Sequence, residues 1–322
     1  MQKPVSVLIK RRYDDPQQKV VAVSPHHHAL LLRLAPVLFV LLWSTGWVVA
    51  RASADHADPL TFLCLRFFLA GLALWLIAVF ARVKWPKGRH AFHAIVSGVF
   101  THAIYLSGVW WSIRHGLPSV VSGLLAAIQP IATALLAPSL LGERINLKQW
   151  CGIVLGFAGV SLVLEPKLFH VSLDQLEANL TLVGINAVGM IGVTIGSFYQ
   201  KRFIPSGDLR SVSVLQYIGA LAFLLPLAYA LEPMHIEWTG TMVVVMAWSV
   251  MAISLGAIGL WLFLIREGEV SRAAALVYLI PPTVAVEAFF LFDEVLDRGQ
   301  ALGMALTVLG VALTTMRPAA KR

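Results

Sequence analysis

Charged residues and cysteines are both scarce in this chain, and each shortage excludes something. Asp, Glu, Lys and Arg fill 13% of the 322 positions and hydrophobic residues 58%, against about 25% charged residues in an average soluble domain. With a mean hydropathy of +0.77, a 35.1 kDa globule of this composition could not coat itself with polar groups, and it is expected in lipid. The two cysteines, Cys64 and Cys151, both fall in apolar runs. That excludes a disulfide framework or a thiolate metal centre and leaves them as packing residues. No Gly-x-x-x-x-Gly-Lys-Ser/Thr loop is present, so energy must come from a gradient rather than a bound nucleotide. His26, His27 and His28 form a dense run of potential metal ligands, but nothing supplies a second ligand cluster. No metal and no cofactor are expected.

What is present is a series of hydrophobic runs. A helix needs about 20 apolar residues to cross about 30 Å of hydrocarbon. Ten runs fit, near 34–50, 59–81, 91–113, 118–139, 147–164, 178–198, 211–231, 240–265, 273–292 and 299–316. The expected fold class is an all-α membrane protein with ten transmembrane helices. Loops kept in the cytoplasm carry the excess of Lys and Arg. With the N-terminus inside, 20 of the 25 Lys and Arg residues fall in inner segments, Arg51, Arg114, Lys167 and Arg298 in outer ones, and Arg66 within a span. Residues 1–33 and 317–322 are then cytoplasmic tails of a multi-pass protein of the cell inner (plasma) membrane. Residues 1–33 show no small-residue cleavage site and read on into the first span, so no cleaved leader is expected. Much of the net charge of +8 sits in Lys3, Lys10, Arg11, Arg12, Lys19 and the 82–89 loop. Anionic lipid suffices as its partner, and nucleic-acid binding is not expected.

The runs form two matching halves, 34–164 and 178–316. Counting 151 residues on pairs Glu143 with Glu294, Gln149 with Gln300, Gly152 with Gly303 and Gly159 with Gly310. With one more residue of offset, Arg114 pairs with Arg266, Gly116 with Gly268, Ser119 with Ser271 and Pro130 with Pro282. Five spans is an odd number, so the second half enters the bilayer from the side opposite to the first. Inverted repeats of this kind are a transporter architecture. Gly152-x-x-x-Gly156 and Gly192-x-x-x-Gly196 permit close helix approach, and a homodimer is possible.

The first half carries Leu42-Trp43-Ser44-Thr45-Gly46-Trp47, Leu65-Arg66-Phe67-Phe68, Gln129-Pro130, Leu141-Gly142-Glu143-Arg144 and Gln149-x-x-Gly152. The second half repeats the pattern as Ile280-Pro281-Pro282, Asp293-Glu294 and Gln300-x-x-Gly303. This ordered set resembles EamA-type members of the drug/metabolite transporter superfamily across nearly all of 34–316. The resemblance implies a ten-helix inverted-repeat carrier with a central substrate cavity, of the kind that includes amino-acid and metabolite exporters. The chain departs from the pattern at Asp293, where the first half has Gly142. Its first span also has no acidic residue, so the carboxylate-centred proton exchange of small multidrug relatives does not carry over.

Charged side chains inside a bilayer cost about 2.5–3.5 kcal/mol on insertion scales and usually face a cavity or a partner. Arg66 and Glu287 qualify, at similar depths below the outer surface. They either pair across a cavity or snorkel independently to the interface. Arg66 is also a candidate anchor for a substrate carboxylate or phosphate, with a structural role at the outer gate as the alternative. Its repeat counterpart is the neutral Gln216, which favours an anionic or zwitterionic solute over a bare organic cation.

Trp43, His102, Gln129, Tyr278 and the Pro281-Pro282 break lie near the midplane. Trp43 and Trp47 are one helical turn apart and share a face that could line a pocket, or simply pack between helices. His102 reads either as a proton carrier or as a hydrogen-bonded structural residue. Gln129-Pro130 and Pro281-Pro282 remove backbone hydrogen bonds at repeat-related places, which marks a binding site or a packing kink. Glu143 and Glu294 fall at loop ends, where capping or gating fits better than solute contact. The expected function is a secondary transporter exporting small metabolites such as amino acids by alternating access. Importer and multidrug efflux carrier are the alternatives. An intramembrane enzyme acting on lipids is remote, because the midplane offers one His and no carboxylate neighbour.

Overall fold

The computed structural model describes residues 25–315, apart from 55, 170, 269 and 293–295. Proline, glycine and polar caps punctuate the runs into helices. The first, α1 (Pro25–Ser53), begins nine residues ahead of the apolar run, because no helix breaker separates Pro25 from Leu34. It takes in the backbone of the His26–His28 run, which the hydropathy pattern alone assigns to a tail. Helix α2 (Pro59–Phe80) opens on Pro59, whose missing N–H is harmless in the first turn. Helix α3 (Arg89–Arg114) passes through a π-helical segment, Val99–Ile104.

Helix α4 (Ser119–Leu141) stops at Gly142, whose φ of 71° suits glycine. Helix α5 (Leu147–Leu168) starts in a capping box between Asn146 and Gln149. A second capping box, between Ser172 and Gln175, begins the short α6 (Leu173–Ala178), which the span count did not anticipate. Then come α7 (Leu180–Phe203), α8 (Leu209–Leu231), capped by Asp208, and α9 (Gly240–Glu267), which has its own π-helical segment at Ser249–Ala257. Helix α10 is built from Val270–Ala275, a 3-10 turn at Leu276–Leu279 and Ile280–Phe292, and α11 is Arg298–Thr315.

Eight of these helices are long and apolar enough to cross a membrane, and α1 adds the shorter apolar stretch Leu34–Ala50. The remaining long helix, α11, has 18 residues and opens on the polar Arg298-Gly299-Gln300. Large apolar side chains such as Phe80, Leu147, Phe290 and Val244 point outward, a surface that suits hydrocarbon and not water. Cys64 is buried, but Cys151 lies on this outer face and does not pack in the core.

The two halves interlace. Helix α2 lies along α8 and α5 along α11, each pair joining repeat-related helices. The other contacts occur in matched sets: α3 against α7 and α8, mirrored by α9 against α1 and α2, with α4 on α7 mirrored by α10 on α1. Glycines set the spacing. A Cβ on Gly152 would stand 2.5 Å from the Gly310 carbonyl oxygen, and one on Gly310 2.6 Å from that of Gly152. Where α3 meets α8, a Cβ on Gly98 would collide with the Gln216 backbone, and one on Gly219 with the Ile95 carbonyl. At the end where α2 begins, the Glu232 carboxylate accepts from the Leu60 N–H at 2.9 Å, the Thr61 N–H at 2.8 Å and the Thr61 hydroxyl at 2.9 Å. One acidic residue thus satisfies orphan donors of the α2 N-terminus and fixes α2 to α8.

Gly98→Leu should lower the melting temperature of the detergent-solubilised protein by several degrees, since overpacking costs about 1–3 kcal/mol. Gly259→Ala, at a helical glycine with no neighbour within 4 Å, should leave it unchanged. Equal melting temperatures for Gly98→Leu and wild type would contradict the close crossing.

Candidate functional site

Because the α1, α3, α4, α5, α7, α10 and α11 faces are held apart at one end of the bundle, a cavity of about 140 Å³ forms between them. It reaches the level of Ser119 at the start of α4, Lys167 at the end of α5 and Gln300 at the start of α11. Its walls are mostly apolar or aromatic, including Trp43, Trp47, Tyr105, Val109, Val160, Met190 and Pro281. A second space of about 60 Å³ adjoins it, sharing Trp43, Trp47, Tyr105 and Val109 and extending to Arg66, Trp110 and Ile253. The indole of Trp43 stacks on Tyr105 at 6.4 Å between ring centroids and meets Phe39 at 5.2 Å. Flat, rigid walls of this kind suit an apolar or aromatic moiety.

Arg66 is 2% exposed, and its Nε donates to the Ser254 hydroxyl at 2.7 Å. Among the described residues no carboxylate stands within ion-pair distance of it. A buried guanidinium whose hydrogen-bonding partner is a neutral hydroxyl keeps its charge available to an anion that enters the space beside it. Glu287 has different company. Its Oε1 accepts from the Ser44 hydroxyl at 2.5 Å, and its Oε2 is buried with no hydrogen-bond partner. The structure therefore does not bring Arg66 and Glu287 together, although they lie at similar depth.

Of the residues singled out by sequence, Trp43, Trp47 and Pro281 line the larger space, and Arg66 lines the smaller one with both tryptophans. His102, Gln129 and Tyr278 are buried between helices and line neither. His102 lies in the π segment of α3, between Phe67 at 6.0 Å and Tyr217 at 5.0 Å, with the Gln216 side chain as its polar neighbour. Tyr278 packs its ring on Gly156, and its hydroxyl is unpartnered. The proline breaks act through backbone. Pro130 removes the usual helical donor for the Ala126 carbonyl, and Pro282 that for the repeat-related Tyr278 carbonyl. Ala126 and the Val277 beside Tyr278 both line the cavity. Asp293 and Glu294 lie outside the described residues.

Tyr105, Val109, Ser119, Lys167 and Gln300 belong to the walls and were not anticipated. Some signal existed. Tyr105 and Val109 are one turn apart, as Trp43 and Trp47 are, and Gln300 belongs to the repeated Gln-x-x-Gly signature.

The opposite end of the bundle is closed by polar contacts, those of Glu143 and Arg202 crossing between the halves and those of Lys201 and Arg266 tying loops within the second half. The Glu143 carboxylate accepts from the Val270 N–H at 2.8 Å, the Ser271 N–H at 3.3 Å and the Ser271 hydroxyl at 2.8 Å, capping α10. Lys201 Nζ donates to the carbonyls of Ile265 at 2.8 Å, Arg266 at 2.9 Å and Gly268 at 2.6 Å, which is favourable at a helix C-terminus. Arg202 reaches the Leu140 carbonyl at 3.1 Å, and Arg266 that of Gly207 at 2.6 Å. The cavity thus lies at one end of the bundle, and the other end is latched by these contacts.

The EamA-like transporter family matches this chain twice, over residues 31–165 and 182–316, and the chain belongs to that family. It is a multi-pass membrane transporter, not an enzyme. An uncharacterised transporter of Bacillus subtilis is 24% identical over 91% of this chain and 93% of its own length. A probable amino-acid metabolite efflux pump of Escherichia coli is 25% identical over 85% and 91%, respectively. A probable terminal-alkyne amino-acid exporter of Streptantibioticus cattleyicolor is 24% identical over 89% and 94%. One crystal structure superimposes with a TM-score of 0.74 at 19% identity, covering 88% of this chain and 96% of that one, and supports the shared fold.

Double-mutant cycles on unfolding should give a coupling below about 0.5 kcal/mol between Arg66→Gln and Glu287→Gln, as for independent sites. Ser44→Ala with Glu287→Gln should couple more strongly, and the reverse order would refute the assigned partners. Glu143→Gln weakens bonds worth about 1.5–3 kcal/mol each when the acceptor is charged. It should speed thiol modification of a cysteine placed at Ala273, buried beside that cap; an unchanged rate would remove Glu143 from the closure.

Proposed function

We propose that this protein is a secondary carrier that exports small amphipathic metabolites, amino acids among them, across the plasma membrane by alternating rocking of its two halves. The observation that carries this reading is the joining of an aromatic-walled cavity to a buried guanidinium through the shared walls Trp43, Trp47, Tyr105 and Val109. The apolar part of the solute lies between the tryptophans and Pro281, and its carboxylate meets Arg66. Both termini face the cytoplasm, all ten long helices cross the membrane as inverted five-helix repeats, and the described cavity opens outward. The positive-inside count of Lys and Arg supports that orientation. The relatives described as an amino-acid metabolite efflux pump and a terminal-alkyne amino-acid exporter support both the direction and the solute class. Lipid surrounds the outward apolar side chains; Gly152, Gly156, Gly192 and Gly196 pack against helices of the same chain, so a homodimer would use other faces.

Counterflow in proteoliposomes preloaded with mixed amino acids, organic anions and organic cations, with and without a proton gradient, tests this. Saturable exchange of apolar amino acids is the expected result. Exchange confined to organic cations would favour the multidrug reading, and non-saturating flux a channel. Arg66→Lys keeps the charge but loses the bidentate fork. It should raise KM for the free amino acid at least about tenfold, the loss of about 1.4 kcal/mol, while transport of the amide form is unaffected. Equal damage to both forms would give Arg66 a purely structural role.

A further inference from the structure

The repeat assigns Arg66 a counterpart on the far side of the membrane midplane. Arg66-Phe67 on α2 corresponds to Gln216-Tyr217 on α8, and Ser97 and His102 on α3 correspond to Ser249 and Ser254 on α9. Arg66 lies seven residues into its helix from Pro59, and Gln216 seven into its own from Leu209, at the opposite end of the bundle. In one half the guanidinium bonds Ser254. In the other, Gln216 Nε2 donates to the Ser97 hydroxyl at 3.1 Å and to Gln200 Oε1 at 2.9 Å, and the Ser97 hydroxyl donates to the same Gln200 oxygen at 3.2 Å.

This second cluster is sealed yet incomplete. Ser97 and Gln216 are 0% exposed, Gln200 2% and His102 3%. Gln200 Nε2 nonetheless has no hydrogen-bond partner, and the Gln216 and His102 side chains have only a poorly formed contact with each other for Gln216 Oε1 and His102 Nε2. A buried polar atom left bare costs about 1–3 kcal/mol, and the bare Gln200 amide nitrogen beside the poorly formed Gln216–His102 contact, where α3, α7 and α8 meet, leaves work for a polar guest. Inverted repeats exchange roles when the carrier turns over. The elements that now close the latched end then take the arrangement that α1, α2 and α9 show around Arg66.

We propose that Gln216, Gln200, Ser97 and His102 form a second substrate-binding pole, exposed when the carrier faces the cytoplasm, which receives the ammonium–carboxylate head of an amphipathic amino acid through neutral hydrogen bonds. The Gln216 carbonyl oxygen accepts from the ammonium, and the Gln200 amide donates to the carboxylate. The cargo moves from this neutral pole to the cationic pole at Arg66, so its head is held by different chemistry on the two sides. The inference rests on the amino-acid reading given under Proposed function.

The test uses the full chain in oriented proteoliposomes, with Cys64→Ala and Cys151→Ala as background. Single cysteines are introduced by Ser97→Cys, or Thr101→Cys one turn away should the first not insert, and by Val109→Cys in the outward cavity. A charged, membrane-impermeant methanethiosulfonate is applied from either face, with L-phenylalanine as the probe solute. Ser97→Cys should react from the cytoplasmic face alone and Val109→Cys from the outer face. L-Phenylalanine at ten times its Kd should slow both reactions about tenfold. No reaction at Ser97→Cys and Thr101→Cys, or reaction from the outer face, overturns the second pole. So does protection confined to Val109→Cys, which leaves the amino-acid reading intact. Reaction at both sites with protection at neither overturns that reading and the pole's cargo with it.

Discussion

Helices in hydrocarbon gain nothing by hiding apolar surface from one another, because lipid tails are as apolar as leucine. What holds this bundle is close approach, and the close approach is made by glycine. The contacts of Gly152 with Gly310, and of Gly98 and Gly219 with backbone across the α3–α8 crossing, bring main chains within reach of dispersion forces that larger residues would block. Each crossing joins the two halves. The cavity walls, the buried Arg66 and the latched end all depend on helices that only the opposite half can position.

Polar groups are placed with the same economy. Loop-end carboxylates do the capping, Glu232 at the start of α2 and Glu143 at the start of α10, each satisfying backbone N–H groups that no helix of its own can reach. Inside the bundle, hydroxyls turn back onto carbonyls one turn earlier, as Thr133 does to Gln129 at 2.8 Å and Thr283 to Leu279 at 2.7 Å, close to the proline breaks. Arg66 and Glu287 are exceptions, each contacting a serine hydroxyl rather than an opposite charge. Both stand apart from the hydroxyl-to-carbonyl pattern of the helices around them.

Much of this was legible in the residues. Hydropathy located the long helices, and the paired glycines and prolines revealed the repeat. Helix α6 was legible too, in the Ser172-Leu173-Asp174-Gln175 capping pattern, but a count of apolar runs passes over it. Depth along a helix follows from position in the run, so a level could be read for Arg66, His102, Gln129 and Tyr278 from the sequence. Which face each presents is set by neighbours, and that is why His102 stacks on Tyr217 and Tyr278 on Gly156 away from the cavity. Tyr105 and Val109 reach the cavity because α3 packs tightly on α7 through Gly108 and Gly189, a contact no single-chain pattern encodes.

The π segments of α3 and α9 have a further implication. Each adds a residue to a turn that an α-helix would close with one fewer, and they occupy matching places, Val99–Ile104 and Ser249–Ala257. Each wide turn rotates the face of the helix beyond it, so the register that carries Tyr105 and Val109 to the cavity wall on α3 is set by the segment that precedes them.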